Sequence, residues 1–441
     1  MESSVDRVVV AFEGEGSGTG ELAWGQQEAW MTVLRLRSWM PVGGIVPLSP
    51  ETTVEDIAGE LRYMVSRYQV LRTKLLLEDR NRPRQVVYAS GEIALEVIDA
   101  GEADPDTTAK DVHRRYIDTD LDFAAEWPIR MGVVRRHGKL THVVALISHF
   151  AADAHGARVL QREVPARVDT AVAGTQPLEQ ARWQQSPSGR RQNEAALRYF
   201  ESILRAIEPR RYHECHDVEQ TPVWTADFTS PAMRLAIAAL VDRTGVDTDT
   251  LFLATFAIAM TQITGINPVV VRPLVGNRFR PGLADVVCSA TQPGLCVLDV
   301  ADVPFDEALP RVRRATMAAY KHAYHDPIDL VELQRRVSRD RGAEIDIACF
   351  FNNRRGEGKA VPEVTSQMIE EALPRSVLRW TPTESEPLRR MFGRVENDTA
   401  DAMRLSLFLD THLMSLADGE ACLRGMQAVA IKAAQSALAA G

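Results

Sequence analysis

Cysteine is scarce in this chain. There are five in 441 residues, Cys215, Cys288, Cys296, Cys349 and Cys422, all far apart and in apolar or mixed contexts. No Cys-x-x-Cys pair exists, so the sequence offers neither a disulfide framework nor a thiolate zinc site. Long apolar runs are missing too. None approaches the roughly 20 residues a membrane-spanning helix needs. The N-terminal residues lack the charged-then-apolar layout of a signal peptide. The expectation is a cytoplasmic protein with no membrane partner. An excess of positive charge is also absent. The formal net charge of −9 argues against nucleic acid as the main partner.

What is present is the composition of a globular protein, 45% hydrophobic and 25% charged. Its length exceeds what one ordinary core accommodates, which predicts two lobes. The Gly-rich run Glu13 to Gly20 lacks a Gly-Lys-Ser/Thr ending and carries two glutamates that would repel phosphate. It reads as a flexible lead-in rather than a phosphate cradle. Periodicity and capping residues predict helices over Ala23–Leu36, Val54–Tyr68, Thr108–Thr119 and His155–Val164. Strands are expected at Thr73–Leu77, Gln85–Val87, Arg130–Arg136 and Thr141–Ile147. The stretch rich in Gly, Pro, Gln and Ser around 176–190 predicts a linker between lobes at 1–175 and 191–441. Beyond it, helices are expected at Asn193–Ile207, Pro231–Thr244, Asp249–Thr264, Asp306–Tyr324 and Leu413–Leu438. Strands are expected at Pro268–Leu274, Gly294–Val300, Glu344–Asn352 and Met403–Leu409. The fold class is α/β (α+β) in both halves.

One stretch stands out chemically, Ile147-Ser148-His149-Phe150-Ala151-Ala152-Asp153-Ala154. The apolar run Val143 to Ile147 predicts a buried strand, and a Ser-His pair stands where that strand ends. A histidine there suits a base or a polariser of a reacting group, and an aspartate four residues on can fix the local backbone. Taken alone, His149 reads better as a hydrogen-bonded core residue. Ser148 is a poor nucleophile candidate, because no Gly-x-Ser-x-Gly elbow surrounds it. His155 reads as an ordinary residue opening the next helix. His213-Glu214-Cys215-His216 has metal-like residue types but reads as solvated linker, so no metal is expected. His322 and His325 end a helix and read as structural. Trp24, Trp30, Trp127 and Trp380 read as core.

The His149–Asp153 spacing resembles the HHxxxDG motif of condensation domains, of the chloramphenicol acetyltransferase-like superfamily. Ser148 stands for the first His and Ala154 for the Gly, whose place allows a positive backbone angle. Other stretches are similar to family elements in the family's order. Leu22 to Trp30 resembles the opening helix. Ser66 to Thr73 resembles RHExLRTxF, with Tyr68 for His. Leu121-Asp122-Phe123 with Pro128-Ile129-Arg130 resembles FDL…PLxR, and Asn277 to Pro281 resembles GRxxP, with Asn277 for Gly. Gln292 to Val297 loosely resembles the FVNTLPLRV strand.

The resemblance implies two acetyltransferase-like lobes in a V, with a central tunnel. It implies an acyl or aminoacyl thioester donor on the phosphopantetheine of an acyl or peptidyl carrier protein supplied in trans. Arg354 and Arg355 are balanced between meeting that arm and capping a strand. The acceptor would be a small-molecule amine or, less favoured, an alcohol, and no tightly bound cofactor is implied. His149 would orient the acceptor, take its proton or stabilise the tetrahedral intermediate. Asp153 and Arg278 would pair as structural support, with Ser148 as a supporting residue. The expected function is amide formation in natural-product biosynthesis. Alternatives are ester formation, cyclisation or acyl transfer from coenzyme A, or a non-catalytic platform that recruits a partner enzyme.

Overall fold

A computed structural model describes residues 5–212, 219, 221–355, 363–383, 390–396, 399 and 401–439. His213-Glu214-Cys215-His216 lies outside them. The chain divides into two compact units: Met1–Glu194 with Gly276–Gln292, and Ala195–Val275 with Pro293–Gly441. Each mixes helix and sheet. Among the described residues no helix is long and apolar enough to cross a membrane.

In chain order the first unit contains β1 (Val5–Glu13), β2 (Gly18–Glu21), α1 (Trp24–Leu36), β3 (Pro41–Pro47), α2 (Val54–Arg67), β4 (Thr73–Leu76) and β5 (Arg84–Val87). It continues with β6 (Ser90–Asp99), α3 (Pro105–Asp118), β7 (Ile129–Arg136), β8 (Lys139–Ser148), α4 (Ala154–Ala166) and α5 (Pro177–Gln185). One sheet runs β1-β6-β7-β8-β3, and a smaller one runs β2-β5-β4. All pairings in the larger sheet are antiparallel except β6 with β7. β8 sits one strand from the edge, between β7 and β3, so its apolar run is buried while its C-terminal end opens into a turn.

Three sequence expectations change here. The run Glu13–Gly20 is not a loose lead-in. Its carbonyls cradle the fully buried Arg72, whose Nη1 donates to Gly16 O at 2.6 Å and Tyr88 O at 2.5 Å, while Nη2 donates to Glu15 O. Burial lowers the Arg72 pKa, and the three carbonyls replace the lost water. Gly14 is required beside it, because a Cβ there would lie 2.1 Å from Ser66 O and 2.8 Å from Arg72 Nε. The stretch 176–190 is helical rather than an irregular linker. Pro177 opens α5, and Pro187 opens α6 (Pro187–Ala206), within which the division at Glu194 falls. Proline at a first helical position starts a helix, because its missing N–H has no intrahelical partner there. Leu178, Gln180, Ala181 and Gln184 on α5 are buried. The tryptophans also split: Trp24 and Trp30 are core, whereas Trp127 and Trp380 are half-buried. The Lys74 ammonium lies 4.3 Å from the Trp127 ring centre.

The second unit takes most of α6, then β9 (Val223–Ser230), α7 (Pro231–Thr244), α8 (Thr248–Thr264) and β10 (Val269–Val275). After β11 (Gln292–Pro293) come β12 (Cys296–Leu298), α9 (Phe305–His322), α10 (Pro327–Asp340), β13 (Cys349–Asn353), α11 (Ser366–Ala372), β14 (Val377–Pro382), β15 (Met391–Val395), β16 (Met403–Asp410) and α12 (Leu416–Ala439). The sheet runs β10-β13-β15-β16-β9-β14, with β12 on β10. α8 is buried at every position from Thr250 to Met260, as a helix apolar on all sides requires. The described cysteines, Cys288, Cys296, Cys349 and Cys422, are free and buried. Burial pushes the Cys288 thiol up to about 11 and the Cys349 thiol up to about 12, so neither is a thiolate at neutral pH.

Candidate active site

The site begins where β8 ends. Ser148 is the last residue of that strand and pairs with Pro41 of β3. Its carbonyl accepts from Ala151 N at 2.8 Å and Ala152 N at 3.1 Å, which folds the chain into a tight turn. Its hydroxyl donates to Trp39 O at 3.0 Å and accepts from Phe150 N at 3.3 Å. Ser148 is fully buried. Both functions of the hydroxyl are therefore spent on the backbone, which leaves it no nucleophilic role.

His149 follows. Its N–H donates to Met40 O at 3.1 Å, so the backbone is held from the neighbouring strand's lead-in. Within residues 146–153 every side chain is buried except His149, which is half-buried. Phe150 packs edge-on against Phe123, ring centres 6.1 Å apart. The turn thus presents a single accessible group, an imidazole, on a frame that cannot shift without disturbing the core.

Asp153 caps α4, accepting from Gly156 N at 2.9 Å on Oδ1. The same oxygen meets Arg278 Nη2 at 2.5 Å. Oδ2 accepts from Ala290 N at 3.1 Å and the Thr291 hydroxyl at 2.9 Å. Burial pushes the Asp153 carboxyl up, but the Arg278 guanidinium and these donors outweigh it and hold the pKa below the usual carboxylate range. Arg278 also donates to the carbonyls of Leu283, Val286 and Cys288. One side chain thereby ties the whole 278–288 loop to the carboxylate beneath the His149 turn. Both partners lie in the first unit, because 276–292 packs there and not with the residues that precede it in sequence.

Two departures from the family patterns, one in HHxxxDG and one in GRxxP, now have physical readings. Ala154 is not in a positive-φ position. It is the exposed first residue of α4, so its methyl strains nothing. Asn277 does sit at φ 58° and donates from Nδ2 to Ala290 O at 3.0 Å. Asparagine tolerates the left-handed region better than other non-glycine residues, so it substitutes for glycine at little cost.

Some supporting residues escape the sequence argument. Thr291 and the Ala290 N–H, which complete the Asp153 shell, carry no local signal, since they lie well over a hundred residues downstream. Glu163 on α4 accepts from the Tyr68 hydroxyl at 2.5 Å and pairs with Arg67 at 3.0 Å, joining α2 to α4. A glutamate on the stripe of Gly156, Val159 and Leu160 was its available signal. Burial, the main cause, lowers the pKa of half-buried His155, and Arg278 adds to the effect.

The other candidates have these structural contacts. His322 stacks on Tyr199 with ring centres 4.5 Å apart, and His325 is fully buried against Phe200. Arg354 donates its N–H to Val395 O and pairs with Glu396 at 3.5 Å, while Arg355 lies over the Phe252 ring. Both serve the end of β13. Among the described residues no group of three or more His, Cys, Asp or Glu is placed to hold a metal ion.

The committed hydroxyl of Ser148 yields a direct test. Ser148→Ala should cost about 1 kcal/mol for the lost bond. Ser148→His should cost more, roughly 1–3 kcal/mol, because several atoms are forced into a filled site. Urea midpoints check this. A Ser148→His variant as stable as wild type would show that the site has room for a second imidazole.

Comparison with solved structures shows the same fold at low identity. SgcC5 from Streptomyces globisporus matches with a TM-score of 0.67 and 19% identity over 94% of this chain and 98% of that one. The epimerization domain of the third module of tyrocidine synthetase B matches at TM-score 0.71 and 13% identity, over 97% and 99%. The X-domain in its complex with OxyB from teicoplanin biosynthesis matches at 0.69 and 16%, over 96% and 95%. No curated protein matches the chain in sequence. The family model for the condensation domain matches residues 42–384, most of the chain. With that span matched, the chain belongs to the condensation-domain family.

Proposed function

We propose that this protein is an acyltransferase that joins a carrier-tethered acyl or aminoacyl thioester to an amine. The acceptor nitrogen attacks the thioester carbonyl, the carbon–sulfur bond breaks, and the carrier's phosphopantetheine leaves as the thiol. His149 takes the proton lost by the nitrogen, and that proton goes on to the departing sulfur. The observation that carries this reading is the geometry of the turn. Within residues 146–153 every other side chain is buried, the His149 backbone is pinned, and the imidazole alone is accessible. A rigid frame around one titratable group is what positioned proton transfer needs. Ester formation, cyclisation and transfer from coenzyme A would use the same imidazole with other partners.

The second reading is a non-catalytic platform that recruits a partner enzyme to a carrier-bound chain. The observation favouring it is Ser148, which replaces an imidazole with a hydroxyl wholly engaged by the backbone. Intact-mass spectrometry of loaded carrier proteins, mixed with the protein and a panel of amines and alcohols, separates the two. The enzyme reading expects unloaded carrier together with the coupled product. Carriers that bind yet stay loaded with every acceptor would replace it with the platform.

A further inference from the structure

One face of α9 differs from the rest of the surface. From Ala308 to Leu309, Val312 and Ala319 the helix is buried in the core of the second unit. On the outer side Pro310, Arg313, Arg314 and Met317 line one shallow concavity, at helical spacings of three and four. Met317 is 62% exposed, which places it among the most exposed large apolar side chains. From 308 to 322 the sequence carries Arg311, Arg313, Arg314 and Lys321 and no Asp or Glu, in a chain of net charge −9; the two acids of α9, Asp306 and Glu307, lie in its first turn. Many exposed arginines elsewhere have a carboxylate within 4 Å, such as Arg114 with Asp111 and Arg424 with Glu420. Among the described residues Arg313 and Arg314 have none. Unneutralised cations flanking an exposed methionine fit a partner that supplies carboxylates around an apolar side chain.

We infer that the outer face of α9 docks an acidic surface of a partner protein. The partner's carboxylates would meet Arg313 and Arg314, and one of its apolar side chains would lie on Met317 and Pro310. Its identification as the acyl or peptidyl carrier protein rests on the function proposed above. All four residues are exposed and remote in sequence from the His149 turn, so substitution there should leave the fold intact.

The test is binding of purified, acidic holo carrier proteins to the full chain, followed by fluorescence anisotropy at low and high salt. Arg313→Glu with Arg314→Glu should weaken binding about tenfold or more and flatten its salt dependence. Met317→Asp should weaken it by a similar factor, and Arg313→Lys with Arg314→Lys should stay close to wild type. Restoration of binding by an Asp→Arg or Glu→Arg change on the carrier would fix the pairing. If wild type binds and all variants bind equally, the docking face is wrong and the proposed function stands. If wild type binds no carrier, both fall. Binding only to vesicles of anionic phospholipid would overturn the protein partner.

Discussion

His149→Ala is expected to lower turnover by about two to four orders of magnitude, the usual worth of a positioned acid–base group. The measurement is product formation from a loaded carrier and an acceptor amine. The structure sharpens what should not change. The turn is held by main-chain bonds from His149 N to Met40 O and from Ala151 N and Ala152 N to Ser148 O. Alanine retains all of them. The side chain is only half-buried, so the loss of stability should stay near 1 kcal/mol. A large kinetic loss without a matching fall in urea midpoint would therefore place the imidazole in the chemistry. Turnover within a few-fold of wild type would remove it, and would favour a substrate-driven reaction or the platform. His149→Gln adds a control, since it keeps a hydrogen-bonding side chain but not the proton acceptor.

How much of this was readable before the structure depends on where each signal lives. α7 is predicted and observed over the same residues, Pro231–Thr244, because its ends are chemically marked. Ser230 caps it, Pro231 opens it and Gly245 closes it in the left-handed region. β3 carries the opposite message. Its seven residues include two prolines and two glycines, which argue against a strand, yet an edge strand tolerates all four. β1 is missed for a related reason: it is an edge with most side chains exposed and no strict alternation. α10 had a legible start, with Asp326 accepting from Ile328 N and Pro327 in the first turn, and a buried stripe of Leu330, Leu333 and Val337. Reading His325-Asp326-Pro327 only as a helix end hid it.

The site divides in the same way. His149 and Asp153 are local in sequence and stand out by residue type. Arg278 is 125 positions from Asp153 and becomes visible only through its resemblance to a family element. Arg72 falls within the stretch that resembles RHExLRTxF, but nothing local points to the carbonyls of Glu15, Gly16 and Tyr88 that hold it, because backbone acceptors leave no trace in side-chain identity. Nor does the sequence say that 276–292 belongs with the first unit, since segment exchange between units is decided by long-range packing.

Asp153→Ala is expected to destabilise the protein by about 3–5 kcal/mol, as removal of one partner from a buried ion pair does. Three losses converge. Arg278, with only 13% of its side chain accessible, keeps its carbonyl acceptors but loses its counter-charge. The N–H groups of Gly156 and Ala290 lose their acceptor, and α4 loses its cap. The defect should appear as low yield and a lowered urea midpoint, with remaining activity falling in step with the folded fraction. Asp153→Ala with Arg278→Met removes the orphaned charge, so it should be less destabilised than the two single changes added together. Asp153→Asn reads the electrostatic part through pH. The native pKa of Asp153 is held below its unfolded value near 4. Its contribution is therefore complete above about pH 4 and is lost as pH falls through the lower native pKa. Wild type should lose stability steeply across that window, and Asp153→Asn should lose it less steeply from a lower starting level. Parallel acid-unfolding curves would show that the carboxylate is not held down by Arg278, and the pair would then be a contact without energetic weight.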